Sequence, residues 1–136
     1  KGADYTTAKN AAVGTNLEII NVSALRKVKA YFKSADYSEY MTWYFQNNPD
    51  HVRIHKVDLP ELFVRPYRLT LDYEEDLTLF NEIHKDLEGT EYTLRDVITY
   101  LDHHPEIAAI NSHLTLKYKT DQALIDLLNT HTRIKL

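Results

Sequence analysis

Residues 68–80, RLTLDYEEDLTLF, hold the carboxylates best placed to do chemistry. An apolar run closes on Asp72, and Glu74, Glu75 and Asp76 follow it directly. A carboxylate at the end of a strand and the start of a helix has two uses. Asp72 can accept a backbone N–H at the helix start while Glu75, three positions on, reaches back as the second half of a capping box; Glu74 and Asp76 then favour the positive end of the helix dipole. Alternatively, Asp72 can hold Mg²⁺ against a substrate phosphate, because ligands of α/β folds bind beyond the carboxyl ends of the strands. One aspartate does not hold such an ion alone, so phosphate oxygens, water and a further partner must complete it. Position alone leaves both uses open.

Other site chemistries find less support. Of the seven histidines, His103 and His104 are adjacent and lack the i, i+4 spacing with an intervening Glu that zinc hydrolases use. His51 and His55 would share a strand face but stand more than about 10 Å apart by strand rise. No G-x-S-x-G elbow occurs, and three glycines in the whole chain leave no Gly-rich phosphate loop. Arg26, Lys27, Lys29 and Lys33 read as the wet face of a helix rather than a nucleic-acid platform.

The elements that must position Asp72 belong to a chain of 136 residues, enough for one ordinary domain burying roughly two-thirds of its unfolded surface. Hydrophobic residues at 43% and charged residues at 26% exclude disordered and collagen-like classes. A net charge of −4 and a pI near 6.0 give no overall attraction to nucleic acid or anionic membrane. Cysteine is absent, which excludes disulfides and thiolate metal sites. No apolar run is long enough for a membrane span and no signal-peptide pattern opens the chain, so a soluble, cytoplasmic protein is expected. The start at Lys1, without Met, suggests a fragment.

Residues 3–7 and 17–22 read as strands, the second offering Leu17, Ile19 and Ile20 for burial. Ser23 reads as the N-cap of a helix carrying Leu25, Val28 and Phe32. Tyr37, Tyr40, Met41, Tyr44 and Phe45 recur at helical spacing, and Trp43 falls off that stripe, which leaves an aromatic surface for another subunit. Residues 51–57 read as a half-exposed strand and RLTL as a short one. It feeds a helix over 73–88 whose Leu77, Phe80, Ile83 and Leu87 face one way, with Gly89 as the stop. Thr93 caps a helix with Leu94, Val97, Ile98 and Leu101 inward. LTLKY reads as a tail strand, and Ala123, Leu124, Leu127 and Leu128 mark a final helix. Alternating strands and helices favour an α/β class.

Four segments in order are similar to blocks of the cytidylyltransferase family that includes acylneuraminate cytidylyltransferases and the SpsF-like spore-coat polysaccharide proteins. They are GTNLEIINVSAL (14–25), SEYMTWYFQNNPDHVRI (38–54), RLTLDYEEDLTLFNEI (68–83) and LDHHPEIAAIN (101–111). The resemblance implies that residues 1–113 are the C-terminal part of a Rossmann-like nucleotidyltransferase three-layer α/β fold, with a dimerisation segment at 37–66 and a tail at 114–136. It implies activation of a sugar acid or related sugar by CTP with Mg²⁺, releasing pyrophosphate and giving a CMP-sugar, in a homodimer. It assigns Asp72 as the metal-binding aspartate and places Glu18 and Asn16 at the sugar pocket. Thr70 stands where sialic acid members carry a second Asp, as in the SpsF-like group. The family's Gly-rich nucleotide loop does not occur here, so the isolated chain is expected to be inactive. The alternative is a non-catalytic interaction or dimerisation domain derived from that fold.

Overall fold

The computed structural model describes residues 2–89 and 91–135. In chain order the elements are strands β1 (Tyr5–Ala8) and β2 (Ile19–Ile20), helices α1 (Val22–Ala30) and α2 (Trp43–Gln46), and strand β3 (Ile54–Val57). Helices α3 (Glu74–Leu87), α4 (Leu94–His103), α5 (Pro105–Ala108), α6 (Lys117–Thr120) and α7 (Gln122–Thr132) follow. The architecture is mixed α/β with a three-stranded sheet of order β2-β1-β3. Strands β1 and β2 pair antiparallel, Tyr5 opposite Ile20 and Thr6 opposite Ile19. The chain divides into two compact units.

The first unit takes residues 1–7, 17–57 and 115–136. Its core is Tyr5, Ala24, Val28, Tyr44, Phe45 and Val52, with Ile20, Leu25, Phe32 and Ile54 packed against it. Leu17 and Ile19 do not join this core. They are 83% and 68% exposed because β2 is a two-residue edge strand that turns only Ile20 inward. Helix α1 is capped by Asn21, whose side chain accepts from Ser23 N at 2.9 Å, so Ser23 is donor and not cap. The stripe from Tyr37 to Phe45 is not one helix: a 3-10 turn at Ser38–Tyr40 precedes the four residues of α2. Tertiary contacts override the periodicity, since Tyr37 packs on His131 and Tyr40 on Tyr118, with ring centroids 5.0 and 6.4 Å apart, while Phe45 sinks into the core. The tail closes the unit. Asn48 donates to Thr132 O at 2.7 Å and to Tyr44 O at 2.8 Å, and its Oδ1 accepts from Ile134 N at 2.8 Å. LTLKY forms no strand; it leads into α6.

The second unit takes residues 8–16 and 58–114. Leu79, Ile83, Val97, Tyr100 and Leu101 of α3 and α4 form its core with Ala12 and Leu69. Leu79 faces inward and Leu77 outward, one step round the helix from the expected stripe, because Asp76 takes a buried position beside Leu79. Val97, Ile98 and Leu101 are buried as the periodicity of α4 requires, and Leu94 is exposed. RLTL is not a ladder strand. It makes one parallel bridge, Val13 to Arg68, through Val13 N to Tyr67 O at 2.9 Å and Leu69 N to Val13 O at 2.7 Å. Gly14 permits this approach: at φ +88° a Cβ there would stand 2.0 Å from Leu69 O.

Candidate functional site

The segment from Arg68 to Asp76 runs from that bridge into α3. The N-cap of α3 is Tyr73, one residue later than Asp72. Three positions on, Asp76 Oδ2 accepts from Tyr73 N at 3.1 Å and from Asp72 N at 3.0 Å. The capping carboxylate is therefore Asp76, and the cap expected of Asp72 and Glu75 is not formed. Glu75 instead lies 3.8 Å from His113 Nε2.

Asp76 is wholly buried and Arg68 is 5% exposed, and they form a two-point ion pair: Nε to Oδ1 at 2.8 Å and Nη2 to Oδ2 at 2.9 Å. Asn111, also buried, donates to Asp76 Oδ1 at 2.8 Å and to Arg68 O at 2.9 Å. The same Nη2 of Arg68 donates to Asp72 Oδ2 at 2.8 Å, and Thr70 Oγ1 approaches that oxygen at 3.4 Å. The guanidinium carbon lies 5.3 Å from the centre of the Tyr73 ring, and Nη1 is a buried donor without a partner among the described residues. Burial pushes the Asp76 carboxyl up, but donation from Arg68, two backbone N–H groups and Asn111 outweighs it and holds the group well below the usual carboxylate range. Donation to Asp76 raises Arg68 in turn.

Asp72 is the solvent end of this network. Its side chain is 54% exposed, with Oδ2 tied to the guanidinium and Oδ1 accepting no hydrogen bond from the described residues. That arrangement offers one hard oxygen to a cation. No group of three or more His, Cys, Asp or Glu among the described residues could hold a metal ion. The fit to Mg²⁺ is thus that of a single carboxylate ligand, with phosphate oxygens and water taking the other positions.

The two other candidate residues fall in separate units. Glu18, in the first, is exposed and accepts a hydrogen bond from Tyr5 OH, which also accepts from Gln46 Nε2 at 3.1 Å. Burial first and the Glu18 contact second raise the Tyr5 phenol, so Tyr5 fixes the carboxylate as a neutral donor. Asn16, in the second unit, accepts from Ala8 N at 3.0 Å and sits beyond the Gly14 turn. A second ion pair, Arg65 to Asp102 at 2.9 Å, is joined by Tyr67 OH on Asp102 Oδ1 at 2.6 Å. Burial and Asp102 push the Tyr67 phenol up to about 12.

Arg68, Asp76 and Asn111 were not candidates from sequence, yet all three lie inside the quoted blocks. The available signal was an acid at the third position after Tyr73, a capping position as good as that of Glu75 after Asp72.

No family model matches the chain. Nor does any solved structure match it significantly. Curated proteins do. The chain is 32% identical over 111 residues to the spore coat polysaccharide biosynthesis protein SpsF of Bacillus subtilis, covering 79% of this chain and 46% of SpsF. It is 31% identical over 115 residues to an uncharacterised protein of Methanocaldococcus jannaschii, covering 84% of this chain and 47% of that protein. The chain spans about half the length of these curated relatives. No helix of the described residues is long and apolar enough to cross a membrane.

Proposed function

We propose that this chain is the sugar-side part of a nucleotidyltransferase, a CMP-sugar synthetase of surface polysaccharide biosynthesis. The observation that carries the reading is the 32% identity to SpsF over most of the chain. In the proposed reaction a sugar hydroxyl gives up its proton to solvent as its oxygen bonds to the α-phosphorus of CTP, the α–β phosphoanhydride bond breaks, and pyrophosphate leaves. Mg²⁺, when bound, neutralises charge on the phosphates. Asp72 presents Oδ1 to that ion, and Arg68 holds the other oxygen so that the carboxylate keeps one orientation. Glu18, oriented by Tyr5, and Asn16 contact the sugar. With no Gly-rich loop among its three glycines, the chain alone supplies no triphosphate cradle and does not turn over CTP. A Rossmann-like fold, a cytoplasmic location and a homodimer through 37–66 belong to the same proposal.

The test uses the natural reading frame that contains these residues, assayed for Mg²⁺-dependent pyrophosphate release from CTP with sugar acids. Asp72→Asn should keep the circular dichroism of the parent and lose turnover; full turnover would reject the assigned role. Calorimetry of the 136-residue chain with CTP and Mg²⁺ should give no heat of binding. Tight binding there would reject the missing cradle.

One observation favours the second reading, a non-catalytic interaction domain. Leu17, Ile19 and Val22 are 83%, 68% and 61% exposed within six residues, an apolar surface that suits a protein contact. Loss of self-association on changing Leu17→Ser and Ile19→Thr, with no turnover from the natural protein, would select it.

A further inference from the structure

Within the first unit a cavity of about 240 Å³ opens between α1 and residues 38–45. Leu25, Val28, Phe32, Met41 and Phe45 line it with carbon, and Lys29 and Lys33 are the charged residues of its lining. Neither lysine side chain makes an ion pair or hydrogen bond among the described residues, and no Asp or Glu lines the cavity. Asp36, the acid nearest in sequence to Lys33, is occupied by Ser34 Oγ at 2.7 Å. Two of the basic residues that read as a wet helix face therefore flank an apolar opening. An enclosed apolar cavity of about 150 Å³ takes a benzene ring, and the carbon-lined wall of this open one likewise suits an apolar group. Unpaired ammonium groups beside it favour an anion at its mouth.

We propose that the cavity binds a small amphipathic anion, an aliphatic tail of medium length ending in a carboxylate or phosphate monoester, with the tail against Val28 and Met41 and the head at Lys29 and Lys33. This is independent of Asp72 and of nucleotide chemistry, because every lining residue belongs to the first unit. The tail gains burial of apolar surface, and the head gains a salt-dependent attraction from two cations.

Met41 is the only methionine, so a ¹³C-methyl methionine label gives one signal from the cavity wall. Titrating the labelled chain with octanoate, octyl phosphate and octanol should move that signal saturably for both anions and far more weakly for the alcohol. The tighter of the two anions identifies the head group. Added salt should weaken the anions and leave octanol unchanged. The double variant Lys29→Glu, Lys33→Glu should lose roughly tenfold or more in octanoate affinity. Octanol binding as tightly as octanoate, unaltered anion binding in the double variant, or no movement of Met41 with any probe would each overturn the proposal. So would a sedimenting dimer that octanoate leaves intact while Met41 shifts with protein concentration, since a second copy would then fill the cavity. If the double variant fails to fold, the salt and octanol comparisons on the parent chain decide.

Discussion

The two units close in different ways. The interior of the first is tied by neutral groups: Asn48 bridges α2 and the tail, and aromatic rings from Tyr5 to Phe45 fill it. The second is tied by a buried ion pair, Arg68 with Asp76, finished by Asn111 and by backbone donors at the start of α3. Neutral bridges tolerate the loss of one partner at moderate cost, whereas a buried charge left alone is expensive. Arg68, Asp76 and Asn111, three residues of the similar sequence blocks, therefore build the platform on which the exposed Asp72 stands. A sequence block that looks like a site can owe most of its residues to holding one of them in place.

The sharpest way to break the contrast is Gly14→Ala. The added Cβ meets the Leu69 carbonyl at 2.0 Å in a backbone region that alanine resists, so the second unit should lose about 3 kcal/mol or more. Trp43, the only tryptophan, lies in the first unit and reports on it by fluorescence, while hydrogen exchange at α3 and α4 reports on the second. Loss should appear first in exchange. Next, Asp76→Asn leaves the buried Arg68 cation with only the half-exposed Asp72 as its counter-charge and should cost about 3 kcal/mol, read by urea unfolding. A cost below 1 kcal/mol would mean the pair is solvated. On the first unit, Asn48→Ala strands the Thr132 carbonyl and Ile134 N–H and should cost about 1–3 kcal/mol, with Trp43 fluorescence changing at lower urea than exchange in α3.

Acid separates the units more finely. Asp76 and Asp4 both have depressed pKa values, Asp4 at about 2 through the hydrogen bonds of Arg53. A depressed carboxyl stabilises above its unfolded pKa, about 3.9, and that stability is lost as pH falls toward the folded value. Both units should weaken below about pH 4. The Asp4 contribution is exhausted near pH 2, and the Asp76 contribution continues to fall below it. Unfolding midpoints from the two probes across pH 4 to 1.5 check this. The smallest effect is expected for Arg53→Ala, because the Arg53 side chain is half-exposed and screened by water; it should shrink only the step near pH 2, since the backbone N–H at position 53 still donates to Asp4.

Legibility followed the range of the interactions. Helices α3, α4 and α7 were readable because each carries its own apolar face, and Gly89 stops α3 at φ +83° as read. The Tyr37–Phe45 stripe misled because its rings divide between the core and the tail, with Tyr37 reaching His131 and Tyr40 reaching Tyr118 far along the chain. RLTL misled because its apolar alternation meets a single bridge residue, Val13, rather than a strand. At the candidate site, the cap expected at Asp72 lies one residue later, at Tyr73, with Asp76 as its carboxylate. Two carboxylates four positions apart can both cap, and only the placement of Arg68 and Asn111 chooses between them.

What the linear order of residues decided alone is local: where α3, α4 and α7 lie, that an acid must cap α3, and that no thiolate or Gly-rich loop is on offer. What only the folded chain decided is which acid caps and which is left for solvent. Asp76 was drawn inward because a guanidinium 8 residues earlier and an amide 35 residues later converge on it, and charge of one sign is buried only where its partners meet it.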